Sequence, residues 1–433
     1  MFLRLSGFYR CLSTFSKMNF SLLNRPIFLQ LFLIISIVMI IPALVAFVER
    51  DYFVARTFLY SSGAGVIFYT LIAIALSNAM KIQNNFEKLL SFILSYLFLP
   101  IFMALPLVLS IAEVRLLDAW LEMVSSFTTT GFKITNLETF SGSSVQLWIG
   151  MVSWIGGIFF WICAISILLP LNISRLEIGT NDLVARSTGK GYENVNSVTS
   201  TARHLIPIYI IITISLWLLL TLLGVSGFQA LLMSMSVIST SGFDLMNNDV
   251  SNVFVIEGII LLFFVFAISK STFSRDINDI QKFRIFNDPE ICLALIIILA
   301  VTGLFYTKSI FVLLSKNSDI TILLLITHLW GIFFTVTSYL VTMGVESKVW
   351  FNLPDFALGK VSTVCVMGLA IIGGGVATTA GGVKLLRVYI LYRNAAQEVD
   401  MMLHPNSIPL KKGKGSISDN RNNRLMAWIF FML

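Results

Sequence analysis

Apolar residues run along this chain in long blocks separated by short polar stretches, at 31–48, 58–76, 89–112, 147–171, 205–225, 253–268, 291–306 and 353–392. Most are near the ~20 residues that carry a helix across a ~30 Å hydrocarbon core. The last is longer and broken by glycines. Two polar linkers, 172–204 and 270–289, interrupt the series, and a third covers 394–424. Between the third and fourth, fifth and sixth, and seventh and eighth blocks lie helical patterns that read as too short to cross the bilayer. Each ends in a small, hydroxyl-bearing run with a glycine. Helix in and loop out is the economical reading, and irregular backbone at that depth must face protein or water.

The three runs are Thr128-Thr129-Thr130-Gly131-Phe132, Ser239-Thr240-Ser241-Gly242-Phe243 and Val341-Thr342-Met343-Gly344-Val345. The windows 119–132, 230–243 and 332–345 align without gaps. All three share serine (Ser125, Ser236, Ser338), threonine (Thr129, Thr240, Thr342) and glycine at the same places. The first two also share Ala119/Ala230, Leu121/Leu232 and Phe132/Phe243. The glycines stand 111 and 102 residues apart. A membrane chain that repeats such a loop at a near-constant interval is building one pore from equivalent parts.

Composition agrees with the pattern: 57% of residues are hydrophobic and only 12% are charged, which excludes a soluble domain of 433 residues. The formal charge of +7 then reads as a topological signal rather than a nucleic-acid footprint, because basic residues crowd cytoplasmic loops. With the N-terminus inside, the cytoplasmic segments hold 22 of the 30 lysines and arginines, and the three loops all fall outside. The expected fold is an all-α polytopic membrane protein: two leading helices, then repeated helix–re-entrant loop–helix units.

A cation leaving water needs oxygens in place of its hydration shell, and a ring of backbone carbonyls supplies them. Glycine permits the backbone conformations that aim them, and the preceding helix turns its partly negative C-terminal end toward the ion. The expected filter residues are Thr129, Thr130 and Gly131; Thr240, Ser241 and Gly242; and Thr342, Met343 and Gly344. Each alone reads more readily as a helix-packing position; three in register on one side reverse that. Asp244, beside the second loop, is a candidate mouth residue that concentrates cations. Glu122 and Glu257 are costly intramembrane carboxylates, read as structural. The eighth block breaks at 373–382, where Gly373, Gly374, Gly375, Thr378, Thr379, Gly381 and Gly382, with Lys384 just beyond, form a candidate barrier below the third loop. The four cysteines show no CxxC pairing, and the three histidines, His204, His328 and His404, have no metal-ligand spacing. No catalytic arrangement stands out, so an enzyme is not expected.

At SSFTTTGF (125–132), SVISTSGF (236–243), SYLVTMGV (338–345), GGGVATTAGGVKLLR (373–387) and HPNSIPLKKGKG (404–415), the chain resembles the Trk/Ktr/HKT superfamily of potassium transporters, specifically its TrkH type. The resemblance implies potassium as the transported ion, with no covalent cofactor, and four filter loops around a pseudo-fourfold axis. It also implies an intramembrane gating loop at 373–382, a homodimer and a cytosolic nucleotide-binding regulator of the TrkA/KtrA kind, in an inner membrane and with no nucleic acid. Glycine at all three filter positions goes with potassium preference in the family. On this frame residues 1–26 are a cytoplasmic N-terminus, 27–80 the leading helix pair, and 88–171, 205–270 and 290–393 three pore repeats. Residues 394–424 form a cytoplasmic linker, and 425–433 the start of a truncated fourth repeat. The third loop, with Met343, is less hydroxylic than the family pattern. The competing expectations are a non-conducting truncated or regulatory subunit, and a secondary transporter with broken helices.

Overall fold

A computed structural model of the chain describes residues 26–76, 85–111, 114–132, 142–168, 198–242, 253–268, 289–315, 322–349, 362–375 and 378–403. The N-terminal segment 1–25, Asp244 and the expected fourth-repeat start at 425–433 lie outside them. Every regular element among the described residues is helical. Seven helices are long and apolar enough to cross a membrane. Large apolar side chains such as Leu44, Leu71 and Leu299 stand more than half exposed, a surface that lipid would cover favourably. The protein is an all-α membrane protein.

The first apolar block folds as α1 (Ile27–Val38) and α2 (Ile40–Val48), separated at Met39. Pro42 explains the break, since it has no N–H to donate to the turn before it. Asp51 caps α3 (Tyr52–Ala75), its Oδ1 accepting the Val54 N–H at 3.3 Å. Next come α4 (Asn85–Ser110), α5 (Leu116–Phe127) and α6 (Ser143–Cys163), which ends in a π turn at Ala164–Leu168. The remaining helices are α7 (Val198–Leu222), α8 (Gly227–Ser239), α9 (Val253–Ile268), α10 (Pro289–Ser315), α11 (Ile322–Leu340), α12 (Thr363–Ile372) and α13 (Leu385–Leu403).

Two differences from the sequence pattern matter. The helix before the third loop, α11, has 19 residues and ranks among the seven spanning candidates, whereas α5 and α8 have 12 and 13. Apolar residues continue upstream of His328 without a breaker, so the helix begins early. The long eighth block is two helices, α12 and α13, because its glycine run stops the first after 10 residues. The second continues through Leu403, into the stretch expected as linker.

The chain divides into two compact units: residues 1–124 with 133–149, and residues 125–132 with 150–433. In the first, Ile35, Met39, Phe58, Leu99, Met103, Leu107 and Trp148 are fully buried. α1 passes so close to α3 at Gly65 that an added Cβ would stand 2.3 Å from the Ser36 hydroxyl, as small-residue helix contacts in membranes allow. Pro100 and Pro106 lie inside α4, and near the second the Trp148 indole donates to the Met103 carbonyl at 3.1 Å.

In the second unit, α11 is packed on two flanks. Phe334 joins Leu216, Leu220, Ile256, Ile260 and Phe264 from α7 and α9. Ile332, Val336 and Leu340 join Ala294, Ile298, Leu369 and Leu385 from α10, α12 and α13. This double burial fixes the helix that carries the third loop.

Candidate functional site: three glycine loops on one rim

Each loop opens with the same helix ending. Thr129, Thr240 and Thr342 adopt left-handed φ of 55°, 52° and 61°, followed two residues on by Gly131, Gly242 and Gly344 at 75°, 70° and 77°. The N–H groups of Thr130, Ser241 and Met343 reach back to the carbonyls of Ser125, Ser236 and Ser338 at 2.8, 3.0 and 2.9 Å. Those of Thr129, Thr240 and Thr342 bond the carbonyls of Ser126, Val237 and Tyr339 at 3.0, 3.3 and 3.1 Å. This is the paired bonding of a Schellman cap, except that threonine occupies the left-handed position where glycine is usual. Non-glycine residues pay about 1–2 kcal/mol there. Three equal departures at one register position mark a shared constraint. The repeated serine accounts for itself: Ser125 Oγ donates to the Phe132 carbonyl at 2.8 Å, and Ser338 Oγ accepts the Val345 N–H at 2.9 Å.

The loops are neighbours. A Cβ on Gly131 would stand 2.3 Å from the Ser241 carbonyl oxygen, and one on Gly242 would stand 2.4 Å from that of Met343. Each glycine therefore lies against the main chain of the next loop, in chain order. A Cβ on Gly344 would meet only the Tyr339 ring, at 3.8 Å. The Ser241 side chain is buried, and its hydroxyl has no hydrogen-bond partner among the described residues. Thr128 and Thr130 hydroxyls bond each other at 2.7 Å.

The glycine-rich segment lies directly behind this rim. Gly381 N–H donates to Thr342 Oγ1 at 2.6 Å, and Thr379 Oγ1 donates to the Ile238 carbonyl at 3.4 Å. Its own backbone crosses itself: Val383, Lys384 and Leu385 N–H groups bond the carbonyls of Ile371, Ile372 and Gly374 at 2.8, 3.0 and 3.0 Å. Gly373 and Gly382 have φ of 73° and 80°, and a Cβ on Gly373 would stand 2.1 Å from the Gly381 carbonyl. Gly375 N–H bonds the Ala267 carbonyl at 3.2 Å, tying the segment to the end of α9. Thr378 Oγ1 donates to the Gly375 carbonyl at 2.7 Å. The Lys384 ammonium donates to the Ala380 carbonyl. Thr378 and Thr379 line a pocket with Trp161, Ile238, Phe263 and Ala267. Gly373, Gly374, Gly375, Thr378, Thr379, Gly381, Gly382 and Lys384 therefore form one cluster.

Gly156, Gly157, Ser347 and Trp330 were not read from the sequence. Gly156 and Gly157 of α6 let that helix meet the ends of two pore helices: a Cβ on Gly156 would stand 2.1 Å from the Phe127 carbonyl, and one on Gly157 3.0 Å from Ser239 Cβ. The adjacent glycines inside an apolar run were the available signal. Glu257, buried in α9, accepts from the Trp330 indole at 2.8 Å, from the Ser347 hydroxyl at 2.9 Å and from the Lys348 N–H at 2.8 Å. That fits the structural reading given to it, and Ser347 and Trp330 carried no pattern of their own. Glu122 is also buried. His328 is buried beside Ser309, its Nδ1 at 3.1 Å from the hydroxyl, while His204 is exposed and His404 lies outside the described residues.

No family model matches the chain. It is 28% identical over 409 residues to an uncharacterized cation transporter of Methanocaldococcus jannaschii, covering 92% of this chain and 78% of that protein. It is 24% identical over 414 residues to the Trk system potassium uptake protein TrkH of Escherichia coli K12, covering 90% and 78%. It is 26% identical over 409 residues to TrkH of Halomonas elongata, covering 93% and 80%. The crystal structure of the potassium transporter TrkH from Vibrio parahaemolyticus superposes with a TM-score of 0.74 at 21% identity, covering 96% of this chain and 83% of that one. Along nine-tenths of its length the chain is thus similar in sequence to TrkH-type potassium uptake proteins, and its fold is that of the TrkH crystal structure.

Proposed function

We propose that the protein carries potassium across a cell membrane, with the three loops as walls of its selectivity filter. The observation that carries this reading is the contact of the first two glycines with the next loop's carbonyl, Gly131 on Ser241 and Gly242 on Met343. Loops so placed can present main-chain oxygens to one dehydrated cation. Thr129, Thr130, Gly131, Thr240, Ser241, Gly242, Thr342, Met343 and Gly344 are the proposed ion-binding residues. The buried Ser241 hydroxyl adds an oxygen beside the carbonyls. The relatives named as potassium uptake proteins support potassium as the substrate.

The cluster from Gly373 to Lys384 is the proposed gate, since it bonds directly to Thr342 and Ile238 at the ends of two pore helices. Glycine-rich, self-crossing backbone can be displaced without breaking a helix. Asp244 is the proposed mouth acid. The remaining assignments follow the family: an inner membrane with the N-terminus and the 394–424 linker in the cytoplasm, a homodimer, and a TrkA/KtrA-type regulator on the cytoplasmic face. Three pore repeats at 88–171, 205–270 and 290–393 after a leading pair at 27–80 describe the same organisation.

Rubidium and sodium uptake by proteoliposomes holding the purified chain tests the reading. Gly131→Ser and Gly242→Ser are expected to lower the preference for rubidium over sodium. Deleting 373–382 is expected to raise flux. An unchanged preference in both serine variants removes the filter, and an unchanged flux on deletion removes the gate.

A further inference from the structure

We propose that Glu257 is a positioning residue for cation discrimination: its carboxylate braces the limb that leaves Gly344 and thereby fixes the third loop. This rests on the filter reading above. α9 reads VFVIEGIILLFFVFAI, and a carboxylate in so apolar a helix is costly unless its oxygens are fully used. Here they are. Oε2 accepts from the Trp330 indole at 2.8 Å, and Oε1 accepts from the Lys348 N–H at 2.8 Å. The Ser347 hydroxyl lies 2.9 Å from both.

The limb itself has no helix or strand partner for most of its length, so its N–H groups depend on side chains. Val345 N–H donates to Ser338 Oγ at 2.9 Å, and Ser347 N–H to Thr335 Oγ1 at 3.3 Å. Val349 N–H donates to Ser347 Oγ at 3.3 Å. Ser338 and Thr335 both belong to α11, the helix that carries the loop. Glu257 reaches the limb from a different helix, and it also holds α11 through Trp330. The carboxylate therefore closes a triangle of α9, α11 and limb whose apex is Gly344, with its left-handed φ of 77°. Hydrogen bonds to a charged acceptor are the stronger kind, which suits a brace that must resist a passing cation.

The test uses the full chain, reconstituted in vesicles, with rubidium and sodium uptake measured on the same preparation. Glu257→Gln keeps the size of the side chain but turns an N–H toward one of the donors. The rubidium-to-sodium ratio is expected to fall roughly fivefold, the loss of about one hydrogen bond of discrimination. Ser347→Ala and Trp330→Phe each remove one donor and should lower the ratio by less. Hydrogen exchange supplies a readout independent of transport: in Glu257→Gln the amides of 345–349 should exchange faster while those of α10 stay unchanged. If flux falls while the ratio and limb exchange hold, Glu257 is merely structural and the inference is overturned. If Glu257→Gln does not fold, an unchanged ratio in both milder variants overturns it equally. If the wild-type chain carries neither ion, the filter reading fails, and unchanged limb exchange then removes the brace as well.

Discussion

The peptide N–H of Gly381 donates to the hydroxyl of Thr342 at 2.6 Å. One residue thus serves two masters: its backbone bends left-handed to begin the third loop, and its side chain holds the glycine-rich segment behind that loop. Removing the hydroxyl while keeping the branched shape isolates the second role. Thr342→Val removes a bond to an exposed N–H, at a cost of about 0.5–1.5 kcal/mol, and should lower the melting temperature in detergent slightly and raise basal rubidium flux. Thr342→Ser, which keeps the oxygen, should behave as wild type. Equal flux in both variants would show that this bond does not restrain the segment.

The three loop glycines are equivalent in φ but not in surroundings. Alanine at any of them meets the left-handed penalty of about 1–2 kcal/mol. At Gly131 and Gly242 it must also push away a main-chain oxygen at 2.3 or 2.4 Å, whereas at Gly344 it meets only a ring at 3.8 Å. Gly131→Ala and Gly242→Ala should therefore lose more stability and more potassium preference than Gly344→Ala. Thermal unfolding in detergent, paired with rubidium and sodium uptake, checks the order.

Gly156 and Gly303 are both helical glycines with opposite expected responses. A Cβ on Gly156 would stand 2.1 Å from the Phe127 carbonyl, so backbone must shift. Gly156→Ala should destabilise by about 1–3 kcal/mol or more, as overpacking does. Gly303 has nothing within 4 Å, and Gly303→Ala should gain about 0.5–1 kcal/mol from helix propensity. Two melting curves against wild type decide it.

In the leading unit, Trp148 is fully buried with its indole on the Met103 carbonyl and its ring 6.0 Å from that of Phe58, edge on. Trp148→Phe should cost roughly 1–3 kcal/mol, for the lost bond and the volume, without changing the rubidium-to-sodium ratio. A changed ratio would mean that this core reaches the filter.

Much of the geometry of the three loops was legible because its constraint falls on backbone. Left-handed φ and a close-passing carbonyl leave few side chains acceptable, so glycine and a hydroxyl-bearing neighbour recur in a readable register at 129/131, 240/242 and 342/344. Six of the expected spans were legible from apolar length alone, while 253–268 and the broken block 353–392 are not among the seven spanning candidates. The length of α11 was not, because an apolar run flanking His328 reads the same whether it is helix or linker. Glu257 showed that a buried acid needs partners, but its partners Ser347 and Trp330 sit 90 and 73 residues away, and no periodicity links such positions. Gly156 and Gly157 were hidden for a related reason: small residues are common in membrane helices, and only the neighbour at 2.1 Å says which matter.

Gly131 rests on Ser241, and Gly242 rests on Met343. Synthesis delivers these loops in order, so each is complete about a hundred residues before the neighbour it rests against exists. Until the next loop is made, Gly131 and then Gly242 have no carbonyl to rest on, and a chain arrested early leaves the face of its newest loop uncovered.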